Sequence, residues 1–108
     1  MKAVVEYLKD KNLLFKSFKE VSPKVLRSRK KVAIYVGVDM KGYYATVFVV
    51  QKKSRVLRKE VEAFLLLHER LEHYIESKIT KKYILIDAPL CSHAKAMLEE
   101  KQWKVWTI

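Results

Sequence analysis

Two short, almost wholly apolar runs constrain the fold more than any other feature of the sequence. Residues 32–38 read VAIYVGV and residues 83–86 read YILI, and each run is followed directly by an aspartate, Asp39 and Asp87. A short apolar run rich in β-branched residues is typical of a strand that is covered on both faces of a sheet. The two runs therefore predict two central strands of an α/β domain.

The segments around these runs predict the other elements. Apolar residues at three- and four-residue steps from Phe64 to Ile79 indicate a helix, and Pro89 precedes a second one. The predicted strands are residues 32–38, 44–50, 55–61, 83–87 and 103–108. Short connections should make an antiparallel meander of the first three strands, so that residues 32–108 follow the order βββαβαβ.

The two helical crossovers decide how the predicted strands are arranged. Because a helical crossover joins parallel strands, the expected sheet is mixed and five-stranded, with order 3-2-1-4-5. Residues 32–38 and 83–87 then lie side by side and run in the same direction. Asp39 and Asp87 would meet at the carboxyl edge, where open α/β sheets bind ligands, about 5 Å apart and close enough to share a divalent cation.

The motifs around these aspartates resemble the ribonuclease H-like superfamily over residues 32–108. A strand ending in GVD at Asp39, a Lys-Gly turn, and a later IDAP around Asp87 are similar to the N-terminal part of resolvase-like and DEDD-type transposase catalytic domains. The resemblance implies that both aspartates are catalytic and hold Mg²⁺ or Mn²⁺ for phosphodiester cleavage. The family completes its site with acids on a later helix, which have no match in residues 32–108. The alternative is that each aspartate caps a turn or a helix.

Positive charge is concentrated in two parts of the chain. The 108 residues carry 23 Lys and Arg against 12 Asp and Glu, a net charge of +11, and residues 1–31 hold ten of these cations with three acids. Such clusters attract anionic partners, of which nucleic acid is the commonest, although lysine-rich surfaces also serve solubility alone. The residues predicted to bind nucleic acid are Arg27, Arg29, Lys30, Lys31, Lys52, Lys53, Arg55, Arg58 and Lys59.

Residues 1–31 are interpreted as a basic helical arm that precedes the domain of residues 32–108. Residues 3–20 carry an imperfect apolar stripe, which predicts one helix, or two short helices divided at Asp10-Lys11-Asn12, packed on the domain or on a partner. Ser22-Pro23 should interrupt it, because a residue before proline avoids the helical region.

Other residue types restrict the interpretation further. The single cysteine, Cys91, cannot form an internal disulfide, and no apolar run reaches membrane-spanning length, so a cytoplasmic location is expected. The three histidines are interpreted as surface or helix-cap residues. Exposed aromatic side chains would stack on bases, but aromatic residues in strands usually belong to the core. The aromatic residues in question are Tyr43, Tyr44, Trp103 and Trp106.

Three functions are compatible with these features. The leading hypothesis is a small nucleic-acid-associated protein on a minimal or degenerate ribonuclease H-like scaffold, which binds the phosphate backbone of DNA or RNA without strong sequence preference. The first alternative is a non-enzymatic assembly module, in which residues 1–31 dock on a protein partner or a second copy. The second alternative is a Mg²⁺- or Mn²⁺-dependent nuclease that uses Asp39 and Asp87.

Overall fold

A five-stranded mixed sheet with two helices forms the body of the protein in a computed structural model, which describes residues 6, 8–10, 14–26 and 32–107. The strands are β1 (Phe15–Val21), β2 (Ala33–Asp39), β3 (Tyr44–Gln51), β4 (Lys81–Asp87) and β5 (Trp103–Thr107). The helices are α1 (Arg58–Ile75) and α2 (Ser92–Glu100), and a short 3-10 helix spans Pro23–Leu26. The mixed α/β architecture, both helices and four of the predicted strands are confirmed.

The strands lie in the sheet in the order in which they occur along the chain. β1, β2 and β3 form an antiparallel meander, and β3, β4 and β5 run parallel. The helices α1 and α2 provide the two crossovers that parallel neighbours require. The predicted order is wrong, because β3 lies between residues 32–38 and residues 83–87 and β2 runs antiparallel to β4. The specific ribonuclease H-like arrangement, which depended on that adjacency, is not found.

The meander is present but begins one element earlier than expected. Phe15–Val21 is an edge strand of the sheet, so the helix predicted over residues 3–20 is wrong for this segment. The strand predicted at residues 55–61 is also wrong, because Val56 makes only an isolated bridge to Leu90 and α1 begins at Arg58. Residues 27–31 of the predicted arm lie outside the described residues. The docking role given to residues 1–31 stays a prediction.

A β-bulge explains why β1 has the sequence pattern of a helix. Phe15 and Phe18 are three residues apart, which is a helical spacing, yet they pair with Asp39 and Gly37, which are two apart. The register shift between Phe15 and Ser17 inserts an extra residue and returns both rings to the same face of the sheet. Their ring centres lie 5.4 Å apart.

Each face of the sheet carries its own core. On one face, Phe48 and Ile84 pack under α1 and α2 through residues such as Phe64 and Leu98. On the other face, Tyr35, Val47 and Leu85 are buried together with Leu8. Residues of β3 and β4 contribute to both cores, which explains their nearly continuous apolar sequence. Among the described residues, no helix is long and apolar enough to cross a membrane.

Candidate nucleic-acid interface

The carboxyl ends of β3 and β4 lead into two loops that are tied together. The backbone N–H of Lys52 donates to the carbonyl of Asp87 at 3.3 Å, just beyond the two strands. Further on, the N–H of Val56 donates to the Pro89 carbonyl at 2.9 Å, and the N–H of Cys91 returns a bond of 3.2 Å to the Val56 carbonyl. These bonds fix residues 52–57 against residues 88–91, so this edge of the sheet is an ordered platform.

Five cations occupy or adjoin this platform, and together we call them the basic rim. Lys53, Arg55, Arg58 and Lys59 are exposed. Lys52 is partly buried and forms an ion pair with Glu60 on the first turn of α1. The acids on or beside the rim are Glu60, Glu62 and Asp87. Positive charge therefore exceeds negative charge at this edge, and four of the five cations point into solvent.

The two helices add to the positive potential at the rim. Both α1 and α2 begin there, and the unpaired N–H groups of a helix start carry partial positive charge. The thiol of Cys91 lies in this environment, directly before α2. Its pKa is lowered, first by the backbone N–H groups of Ala94 and His93 and to a smaller extent by Arg55 and Arg58.

Asp39 lies at the opposite edge of the sheet and has a structural role there. Its Oδ1 accepts the backbone N–H groups of Lys41 and Tyr43 at 2.9 Å each, which closes the β2–β3 turn. Its Oδ2 lies 2.8 Å from the Nζ of Lys81. The Lys81 bond is the main reason that the pKa of Asp39 falls to about 2, with the backbone bond from Tyr43 next. The alternative interpretation as a turn cap therefore describes Asp39.

The two aspartates do not form one metal site. Asp87 pairs with Gln51 at the end of β3, whereas Asp39 follows the residue that pairs with Tyr44 at its start. The seven residue steps from Tyr44 to Gln51 separate them by about 23 Å at ~3.3 Å per residue, far beyond the reach of a shared cation. The predicted site shared by Asp39 and Asp87 is wrong. Within the described part of the chain, no three His, Cys, Asp or Glu residues are grouped as they would be to hold a metal ion.

The other predicted site residues divide into two groups. Lys52, Lys53, Arg55, Arg58 and Lys59 come together on the basic rim. The second predicted cluster lies outside the described residues. Its members are Arg27, Arg29, Lys30 and Lys31.

The aromatic candidates differ in their surroundings. Tyr43 and Tyr44 are exposed at the β2–β3 turn. Trp103 is buried against Phe48, with ring centres 5.0 Å apart, and belongs to the core. Trp106 is partly buried and stacks on Tyr83 at 5.7 Å with nearly parallel rings.

His68 is a buried polar residue that the sequence interpretation placed at the surface. Its side chain lies on α1 between Phe48 and Trp103, whose ring centres are 6.4 and 5.2 Å away. The burial of His68 could have been predicted from the sequence, because His68 is four residues after Phe64 and therefore lies on the apolar stripe of the helix. Burial lowers its pKa to about 4; Glu72 opposes this shift, and Lys82 adds to it.

Comparison with known proteins finds folds similar to that of this chain in EndoMS and in a repair endonuclease. No family model and no curated protein matches the chain. Among solved structures, EndoMS in its apo form has a TM-score of 0.59 at 14% identity, over 99% of this chain and 45% of its own. A repair endonuclease from Pyrococcus abyssi gives 0.58 at 14% identity, with 99% and 44% covered. An EndoMS–dsDNA complex gives 0.52 at 18% identity, with 97% and 42% covered.

These similarities are similarities of fold. The chain spans less than half the length of each of the three proteins, and the identities are low.

Proposed function

We propose that this protein associates with nucleic acid and that the basic rim holds the phosphate backbone without strong sequence preference. The observation that carries the proposal is the set of four exposed cations on one ordered edge, where two helices also begin. Phosphate oxygens are the natural ligands of both features, since Lys and Arg pair with them and helix starts favour anions. The fold supports the proposal by analogy, because a structure of similar architecture is a complex with double-stranded DNA.

Contacts of this kind carry little sequence information. Lys and Arg side chains that bind phosphates fix the register of a protein on a duplex, whereas base edges must be reached for specificity. The affinity should instead depend steeply on salt, because each neutralised phosphate releases counterions. If Lys53, Arg55, Arg58 and Lys59 all contact phosphates, raising the salt from about 50 to 200 mM should weaken binding on the order of 10²-fold.

Fluorescence anisotropy with labelled duplexes of several sequences tests the proposal. In the variant with Arg55→Glu and Arg58→Glu, the affinity for the duplex should fall by about tenfold or more. The slope of the logarithm of the affinity against the logarithm of the salt concentration should become shallower by roughly two. The matched control reverses the same number of charges at Lys24 and Lys78, which are both exposed away from the rim. Lys78 lies just after the C-terminal end of α1, and Lys24 precedes Val25 and Leu26, which lie against Arg70, His73 and Tyr74 of that helix.

The comparison between the two variants decides the question. The proposal predicts a loss that is much larger for the rim variant than for the control, and similar for all duplex sequences. An equal loss in both variants would show that net charge alone attracts the duplex. Binding that does not respond to salt would contradict phosphate contacts altogether.

A further inference from the structure

Exposed apolar side chains gather at the β2–β3 turn, at the edge of the sheet opposite the basic rim. Tyr43 is 57% exposed, and Met40, Tyr44 and Leu14 are also exposed. Leu14 directly precedes Phe15, which pairs with Asp39 at the start of the turn. A concentration of exposed apolar side chains on a small protein commonly marks an interaction site.

A cleft of about 240 Å³ opens beside this turn. Leu14, Phe15, Met40 and Tyr83 provide apolar or aromatic lining, and the ion pair of Asp39 with Lys81 provides polar atoms. Tyr43 is not part of this lining, but its ring adjoins the cleft through Lys81. The cleft therefore offers a donor and an acceptor to the polar edge of a flat ring that stacks on Tyr43.

The turn holds these side chains in a fixed arrangement. The carboxylate of Asp39 accepts two backbone N–H groups of the turn, and the N–H of Gly42 donates to the Asp39 carbonyl at 3.0 Å. Gly42 has a positive φ of 91°, a conformation that glycine adopts without strain. The Nζ of Lys81 lies 5.6 Å from the centre of the Tyr43 ring and helps to position it. A surface that is already ordered loses little entropy when it binds a ligand.

The charge at this turn favours an anionic ligand. Asp39 and Lys81 neutralise each other, whereas Lys41 is exposed at the tip of the turn. Lys104, which pairs with Tyr83 across β4 and β5, is also exposed. A ligand that combines a flat ring, a polar ring edge and negative charge is a nucleotide, and aromatic side chains next to cations are the usual platform for single strands.

We infer that the β2–β3 turn binds an unpaired nucleotide of a single strand, with the base stacked on the Tyr43 ring and the backbone beside Lys41. This role rests on the nucleic-acid association proposed above and adds a second contact at the other edge of the sheet. The basic rim holds phosphates of any duplex or strand, whereas the turn requires a base whose face is free. Single strands should therefore depend on Tyr43, and blunt duplexes should not.

Anisotropy measurements on a labelled single strand and on the blunt duplex of the same length test this inference. Tyr43→Ser should weaken binding of the single strand on the order of tenfold and leave the duplex unchanged, because one base loses its stacking partner. Tyr43→Phe should retain the affinity, since the aromatic face remains. Tyr74→Ser is the matched control, because Tyr74 is 56% exposed on α1 and lies away from the turn.

Each outcome supports or overturns the inference. Unchanged single-strand affinity in a folded Tyr43→Ser variant overturns it. An equal loss on both substrates, or an equal loss in Tyr74→Ser, also overturns it. The two proposals can fail separately. If the rim variant binds with normal affinity and Tyr43→Ser loses affinity for the single strand alone, the role of the basic rim is excluded and that of the turn is kept. If the rim variant loses affinity and Tyr43→Ser does not, only the role of the turn is excluded.

Discussion

The buried His68 predicts that acid destabilises the protein well before most carboxylates are protonated. The imidazole is 6% exposed and lies against Phe48 and Trp103. Its Nδ1 is 3.8 Å from a Glu72 oxygen, and its Nε2 has no hydrogen-bond partner in the described part of the structure. Burial in these surroundings lowers the pKa of His68 from 6.5 to about 4, although Glu72 opposes the shift.

The direction and size of the effect follow from proton linkage. Between pH 6.5 and pH 4 the unfolded chain binds a proton that native His68 does not, so stability falls as the pH decreases through this range. The difference between the pKa of His68 in the unfolded chain and in the native protein lowers the free energy of unfolding by about 2 kcal/mol at pH 5.0 and by about 3 kcal/mol below pH 4. Asp39, whose pKa is about 2, remains charged in the native protein at pH 5.0. Comparing pH 7.5 with pH 5.0 therefore reports mainly on His68.

Urea unfolding of the protein and of His68→Leu at pH 7.5 and 5.0 measures the effect. The unmodified protein should lose about 2 kcal/mol between the two pH values, and His68→Leu should lose much less because it has no imidazole to charge. His73→Gln, at an exposed position on the same helix, is the control and should behave like the unmodified protein. A loss of less than about 0.5 kcal/mol in the unmodified protein, or an equal loss in His68→Leu, would refute the reasoning.

Three further predictions concern single positions. Gly37→Ala should destabilise the fold by about 1–3 kcal/mol, because the added Cβ would lie 3.0 Å from the Ser17 carbonyl oxygen of β1. An unchanged midpoint of urea unfolding would contradict the β1–β2 pairing. Glu76→Gly should stabilise the protein by about 1 kcal/mol, because Glu76 ends α1 with a φ of 55°, and a lower midpoint would count against this account. The lowered pKa of Cys91 should make its thiol react with iodoacetamide near pH 7 faster than an unperturbed thiol, and Arg58→Gln should slow the reaction; an unchanged rate would exclude the influence of Arg58.

Much of the fold was predictable because its central elements carry unambiguous patterns. Residues 32–38 and 83–86 are apolar on both sides of the strand, and both are central in the sheet with a core on each face. The helix α1 follows the regular spacing from Phe64 onward. These patterns depend on local burial alone, which a sequence records directly.

The arrangement of the strands was not predictable in the same way. The bulge in β1 gives Phe15 and Phe18 a helical spacing, so the first strand of the meander was interpreted as a helix. Because that strand was missed, residues 32–38 were assigned as the first strand of the meander. This error placed residues 32–38 beside residues 83–87 in the predicted sheet. The predicted metal site shared by Asp39 and Asp87 depended on that adjacency. Strand order depends on long-range pairing, which local periodicity does not record.

The candidate site was predictable only where its residues are consecutive. Lys52 to Lys59 are close in sequence, so their clustering needed no knowledge of topology. Their position beside the start of α2 depends on the bridge between Val56 and Leu90, which has no sequence signature. The cleft at Asp39 likewise combines β1, the β2–β3 turn and β4, and the sequence alone does not bring these together.

The position of a bound duplex on the protein tests the central claim most directly. Backbone amide chemical shifts of the isotope-labelled protein, followed by NMR during titration with a short blunt duplex at low salt, would locate the contact. The account predicts that the largest shifts occur at residues 53–59 and at the start of α2. Shifts confined to other surfaces, or no shifts at residues 53–59 when the duplex is bound, would contradict it.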